Sequence, residues 1–230
     1  MNAPQTISQE NTGSMKMLQA MVGIGLICAL LIVLTYEGTL PRVRYLKEEA
    51  LQKAIFQVLP GSNESVTFLI DEAGEIIAQP GKNESVNKVY AGYTAEGRLV
   101  GVAIEASGKG YADVIKVLYG YDPAAEKVIG FHVLESKETP GLGDKIEKDK
   151  SFQENFKKMD VKLGASGLSK EHPIIAVKSG LKQNSWEVDG ITGATISSRA
   201  VASILEQSTS EWLPLIRKNM DEFKIKQLDE

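Results

Sequence analysis

A chain of 230 residues, 43% hydrophobic and 24% charged, is long enough to bury the core of one globular domain and to carry an accessory segment besides. A formal net charge of −4, with no run of Lys and Arg interleaved with aromatics, excludes a surface built for nucleic acid. The single cysteine, Cys28, excludes an internal disulfide or a thiolate cluster, and His132 and His172 stand without acidic or histidine partners at ligand spacing, so no metal site of the chain's own is expected.

Residues 1–16 read as a polar tail that cannot nucleate a core. From Met17 to Tyr36 the sequence carries no charge and only Gln19 as a strongly polar side chain, enough residues to cross about 30 Å of hydrocarbon as a helix. A cleaved signal peptide is the competing reading, but the apolar run exceeds a usual h-region and the residues after it offer no small-x-small site. Lys16 precedes the span while Arg42, Arg44 and Lys47 follow it, a bias that by itself would hold the bulk of the chain in the cytoplasm.

Residues 37–61 place Val43, Leu46, Ala50, Leu51, Ala54, Ile55 and Val58 at helical spacing, and Pro60-Gly61 ends that amphipathic linker helix. Short β-rich runs follow at 66–70, 75–78, 87–93, 99–106, 114–121 and 127–135, separated by the turn sequences DEAGE, TAEGR and DPAAEK, so neighbouring runs are expected to pair antiparallel as a meander. A short helix is expected after Asp149 or Ser151 with Phe152 and Phe156 on one face, then a strand at 174–178. A closing helix from Ser197 to Phe223 should be kinked or restarted at Pro214. The expected fold class is α+β: one N-terminal transmembrane helix, then a single domain, 62–230, with a mostly antiparallel sheet and flanking helices.

Two segments carry chemistry. Asp189-Gly-Ile-Thr-Gly-Ala-Thr195-Ile-Ser197 is a loop of small and hydroxylated residues running into a helix start, where free N–H groups and the helix dipole favour an anion; an ordinary helix cap has the same composition. In Glu138-Thr139-Pro140-Gly141-Leu142-Gly143, Pro at the second turn position and Gly at the third make a tight turn with a lean backbone. No carboxylate pair, Ser-His-Asp set or dinucleotide fingerprint accompanies them, so stand-alone catalysis is not expected.

Together, DGITGATISS and the ETPGLG segment before it resemble the FMN-binding domain family, and within it the G-type subunits of Rnf ion-translocating oxidoreductases and the related C-type subunits of sodium-pumping NADH:quinone oxidoreductases. The resemblance implies FMN esterified through its phosphate to Thr195, attached by a separate flavin transferase that uses FAD and magnesium and reads Asp189, Thr192, Gly193 and Ala194. Asp189 is equally well explained as an Asx-turn residue. It implies further that Glu138, Thr139, Gly141, Leu142 and Gly143 wall the flavin pocket, and Tyr111 lies in a segment that resembles the family's glycine-containing strand entry, either stacked near the ring or an ordinary strand residue. From the residues themselves, Thr192 and Ser197 are candidate donors to the phosphate, Ser197 equally a simple cap, and Lys178 or Arg199 is a candidate counter-charge, against the usual solvation of surface Lys and Arg. Implied partners are A-, B-, C-, D- and E-type subunits of a complex in the bacterial inner membrane, moving sodium or protons, with this domain on the periplasmic side and with membrane lipid around residues 17–36. Other flavin-bearing modules, and a non-flavinylated anchored binding domain, are the alternatives.

Overall fold

The computed structural model of the chain describes residues 11–70, 74–77 and 87–224. Most of the tail at 1–16, part of the DEAGE turn and the end of the run at 75–78 lie outside the described residues. The chain divides into two compact units, residues 1–49 and 50–230.

Helix α1 (Asn11–Val58) supplies nearly all that is described of the first unit and runs on into the second. It is continuous through Pro41, where the sequence suggested a span and a separate amphipathic helix. A proline in a helix interior deprives one carbonyl, here that of Glu37, of its N–H partner, and the flanking turns hold the helix across that single loss. The helix contains an 18-residue window of mean hydropathy 2.6, none of it buried. Ile32 is 69% exposed, and Leu18, Ile24 and Leu30 are likewise exposed, so this apolar surface is not covered among the described residues.

In the second unit the strands are β1 (Glu64–Ile70), β2 (Ile76–Ile77), β3 (Asn87–Tyr93), β4 (Leu99–Lys109), β5 (Val114–Asp122), β6 (Lys127–Glu135) and β7 (Met159–Asp160). They form one antiparallel sheet in the order β2-β1-β3-β4-β5-β6-β7, with β3 to β6 as the expected meander. The turns follow local chemistry. Gly97 takes φ +75° between β3 and β4, and Asp122 accepts from Ala124 N and Ala125 N between β5 and β6.

Period-two patterning gives the sheet two buried faces. Ile115, Val117, Tyr119 and Tyr121 of β5 enter the main core, while Leu118 enters a second cluster with Ala54, Ile55, Val58 and Leu59 from the end of α1 and just after it. That packing explains why the second unit starts at Ala50, before the end of the expected linker 37–61. A row of glycines makes the approach possible. Gly92, Gly101, Gly120 and Gly130 lie on four consecutive strands, paired Gly92↔Gly101 and Gly120↔Gly130, and a Cβ on Gly120 would stand 2.0 Å from the Val58 carbonyl oxygen.

Helices α2 (Lys145–Lys148) and α3 (Lys150–Glu154) follow the sheet, α3 capped by Asp149, which accepts from Phe152 N. Strands β8 (Ile175–Val177) and β9 (Glu187–Asp189) pair in parallel as a small second sheet that the sequence reading did not separate. Helix α4 (Thr195–Lys218) packs on β4, and α5 (Met220–Lys224) closes the described chain. The interruption expected at Pro214 falls instead at Asn219, whose Nδ2 donates to Gly74 O and Leu215 O, both at 2.9 Å. The proline itself sits inside α4 beside the buried Leu213 and Ile216.

Candidate functional site

The site gathers where three chain segments meet at one end of the sheet. The β4–β5 turn, closed by Gly110 N to Asp113 O at 2.8 Å, carries Tyr111 and Ala112 there. Directly after β6 comes the loop 136–143, and the N-terminus of α4 with its preceding loop 190–194 supplies the third side. Between them lies a cavity of about 360 Å³ lined by Tyr111, Glu138, Thr139, Leu142, Gly143 and the run Gly193–Ser197. The two motifs, more than fifty residues apart in sequence, share this wall.

Both loops are built on the same turn. Leu142 N donates to Thr139 O at 3.1 Å with Gly141 at φ +78°, and Ala194 N donates to Ile191 O at 3.0 Å with Gly193 at φ +86°. A positive φ at the third position is what glycine supplies in a type II turn. In each case the fourth turn residue, Leu142 or Ala194, lines the cavity.

One buried carboxylate ties the three segments together. Glu138, 5% exposed, accepts from Ala112 N at 2.9 Å through Oε1 and from the Ser197 hydroxyl through Oε2. Gly143 is a glycine for this reason: a Cβ there would stand 2.5 Å from Glu138 Oε2 and 2.8 Å from Ser197 Oγ. The proton of Ser197, expected on a phosphate, is thus given to Glu138.

The end of α4 is open for an anion. Its N-cap, Ala194, makes no side-chain cap bond, and the first intrahelical bond runs from Ser198 N to Ala194 O. The N–H groups of Thr195, Ile196 and Ser197 precede that bond and so have no intrahelical acceptor. Ser198 fixes the incoming loop, its Oγ donating to Ala194 O at 2.9 Å and accepting from Ile191 N at 3.1 Å. Thr195 is exposed.

Of the expected site residues, Asp189, Thr192 and Gly141 do not line the cavity. Asp189 holds the loop from outside. Its Oδ1 accepts from Gly180 N at 2.8 Å, and Asn155 clamps its backbone through Asp189 N at 2.9 Å and Asp189 O at 3.1 Å. Thr192 is exposed at the second position of its turn, and Gly141 serves its own turn. Lys178 and Arg199, expected as counter-charges, are outside the lining; so is Lys145, which sequence reasoning missed, but its Nζ stands 3.9 Å from where a Cβ on the lining residue Gly193 would be. Asn155 and Ser198 were also missed; their types and spacing carry no signal until the loop is folded against them. Beside Lys145, the Asp144 carboxyl is held below its ordinary range first by its hydrogen bond from Lys148, 2.6 Å away.

A phosphorylated flavin fits these residues. The open helix end offers donors to a phosphate, the cavity volume lies in the range of about 300–1,000 Å³ typical of small-ligand sites, and Tyr111, Leu142 and Ile196 present apolar surface at 65%, 51% and 55% exposure for a flat ring to cover.

Comparison with known proteins agrees. Residues 110–210 match the model of the FMN-binding domain family. The chain is 31% identical over 193 residues to the G subunit of an ion-translocating oxidoreductase complex from Methanosarcina acetivorans, covering 84% of this chain and 91% of the relative. It is 32% identical to the G subunit of a complex of the same description from Aliivibrio fischeri, covering 77% and 80%. The G subunit of the Na(+)-translocating ferredoxin:NAD(+) oxidoreductase complex of Acetobacterium woodii is 29% identical, with 80% and 84% covered. Among solved structures, NqrC of Shewanella oneidensis shares the fold with a TM-score of 0.62 at 18% identity, over 78% of this chain and 99% of that one. The C subunit of the Na(+)-translocating NADH-quinone reductase from Parabacteroides distasonis gives 0.56 at 23% identity, over 81% and 98%.

Proposed function

The chain belongs to the family of G subunits of ion-translocating oxidoreductase complexes, and from that premise we propose that it relays electrons through FMN held on Thr195 by a phosphoester bond. The carrying observation is the shared cavity in which the Glu138–Gly143 loop meets the open N-terminus of α4, with Thr195 on its wall.

Attachment needs FAD and a magnesium-dependent transferase. The Thr195 Oγ–phosphorus bond forms, the pyrophosphate bond of FAD breaks with AMP leaving, and the hydroxyl proton is lost to a base of the transferase or to water. The result is a diester with one negative charge, fixed to the chain through oxidation and reduction. FMN supplies the electron chemistry; the protein holds and orients it.

Each site residue then has a part. The first-turn amides of α4 face the phosphate, Gly193 and Ala194 admit it closely, and Thr139, Leu142 and Gly143 wall the ring side. Glu138 and Ser197 lock the walls to each other, while Gly141, Thr192 and Asp189 set the two loops, Asp189 and Thr192 also being presented to the transferase. Residues 17–36 anchor the chain in the membrane, 37–61 connect, and 62–230 hold the flavin. The domain works on the periplasmic side of the bacterial inner membrane beside A- to E-type partner subunits, as a non-catalytic carrier within a translocase. Protection of the domain from protease in sealed right-side-out vesicles would reject that side.

The test is direct. Matured with its transferase, the full chain should gain the mass of FMN less one water and fluoresce under ultraviolet light in a denaturing gel. Thr195→Ala should lose both signals entirely, with its thermal midpoint unchanged within a few degrees, because the residue is exposed and caps nothing. A Thr195→Ala chain that still carries the added mass refutes the attachment site.

A further inference from the structure

We propose that Lys145 is the cation that recognises the flavin phosphate, an inference that rests on the FMN reading and sharpens it. The single charge of a phosphoester at Thr195 needs a counter-charge in a cleft, where the dielectric is lower than in water. The first-turn amides of α4 contribute partial charges only.

Among the described residues, Lys145 has the geometry. It is half-buried at the start of α2, three residues beyond Leu142, and its Nζ stands 3.9 Å from the Cβ position of Gly193, two residues before Thr195. The same Cβ position is 4.0 Å from Leu142 Cδ2, so the ammonium reaches the loop at the edge of the cavity wall. Its closest acidic neighbour in sequence, Asp144, pairs with Lys148 at 2.6 Å through Oδ2 alone, while its buried Oδ1 makes no hydrogen bond among the described residues and the carboxylate also feels the Lys145 charge; Glu147, the other carboxylate of the segment, is exposed. Glu138 has both oxygens engaged, by Ala112 N and the Ser197 hydroxyl. An ammonium so placed is matched to an anion arriving at the Gly193–Thr195 loop. Gly193 takes φ +86°, where any side chain would be strained, so the loop passes Lys145 bare.

The experiment separates phosphate recognition from folding. Full-length chain, made without the transferase and held in detergent, is titrated with FMN and with riboflavin, which lacks the phosphate. Wild type should prefer FMN. Lys145→Met should weaken FMN by about tenfold, as loss of a charge-assisted contact implies, and leave riboflavin unchanged; Lys145→Arg should stay within about threefold of wild type. Equal weakening of both ligands would mark a merely structural lysine and overturn the inference. So would a Lys145→Met chain that still prefers FMN as wild type does, and in that case the FMN reading itself stands. A wild type indifferent between FMN and riboflavin also overturns the inference, whereas the FMN reading falls only if matured chain lacks the added mass.

Discussion

The two ends of α4 are built on opposite plans. From Val201 to Ile216 the helix is fixed along its buried face: Val201, Leu205, Thr209, Leu213 and Ile216 are fully buried, Tyr119 shares a 2.9 Å hydrogen bond with Ser208, and Lys170 reaches Glu206 and Thr209. At the other end, Ala194 offers no cap, Thr195 and Ile196 are exposed, and one contact from Ser197 to Glu138 ties the first turn to the neighbouring loop. A helix anchored through its middle and C-terminal half can leave its first amides unpaired without fraying. That division of labour lets the same element serve as core and as anion holder.

The strongest way to break the comparison is to attack the anchored half alone. Lys170 has a side chain 2% exposed, hydrogen-bonded to Glu206 Oε2 at 2.5 Å and to Thr209 Oγ1 at 2.6 Å, and burial lowers its pKa against the opposing pull of Glu206. Lys170→Met removes one partner of a buried ion pair and should cost about 3 kcal/mol, a fall in thermal midpoint of roughly 6–12 °C. Below that temperature the fraction of chains carrying FMN should be undiminished. Loss of attachment with an unchanged midpoint would mean that the two ends are not independent.

A smaller effect is expected at the open end. Glu138→Ala strands the Ala112 amide and the Ser197 hydroxyl, a cost of about 2 kcal/mol, and frees the Glu138–Gly143 loop from the first turn of α4. Here attachment should suffer more than stability, with the FMN mass increment reduced several-fold in chains whose midpoint falls by only roughly 4–8 °C. Glu138→Gln, which keeps an acceptor for Ala112 N, should lie between wild type and Glu138→Ala on both measures.

This contrast also explains what the sequence could and could not reveal. The meander was legible because Ile115, Val117 and Tyr119 alternate with residues of the opposite face, and turn residues such as Gly97 mark where strands end. The Glu138–Gly143 turn was legible because Pro140-Gly141 marks it, while the turn at Gly193 was read only as a lean loop running into a helix start. The restart offered at Pro214 does not occur because helix breaking is a local rule, and buried Leu213 and Ile216 hold α4 together through it. Lys145, Asn155 and Ser198 were invisible for a different reason. Asn155 and Ser198 act through Asp189 and Ile191, and Lys145 is brought beside Gly193 only by the fold; of the three, only Ser198 lies within ten residues of its neighbour.

The finest test uses acid on the strand that feeds the open end. Glu187, the first residue of β9, is buried, and its carboxylate accepts from Gln183 N at 2.7 Å, Asn184 N at 3.0 Å and Asn184 Nδ2 at 3.1 Å. Those donors, the Gln183 amide first, hold its pKa below the ordinary value of 4.5. A carboxyl with a depressed folded-state pKa gives stability that is complete above the unfolded value and disappears as pH falls through the folded one. As pH falls from about 5 to about 3, hydrogen-exchange protection should therefore fall at residues 183–190 before it falls at 204–216, because Glu187 organises the turn ahead of Asp189 and Gly190 through bonds made within its own segment. Glu187→Gln removes the titrating group, so its loss of protection at 183–190 across that window should be shallower than in wild type. Parallel loss in both segments, unaffected by the substitution, would show that the open end and the anchored half of α4 unfold as one unit.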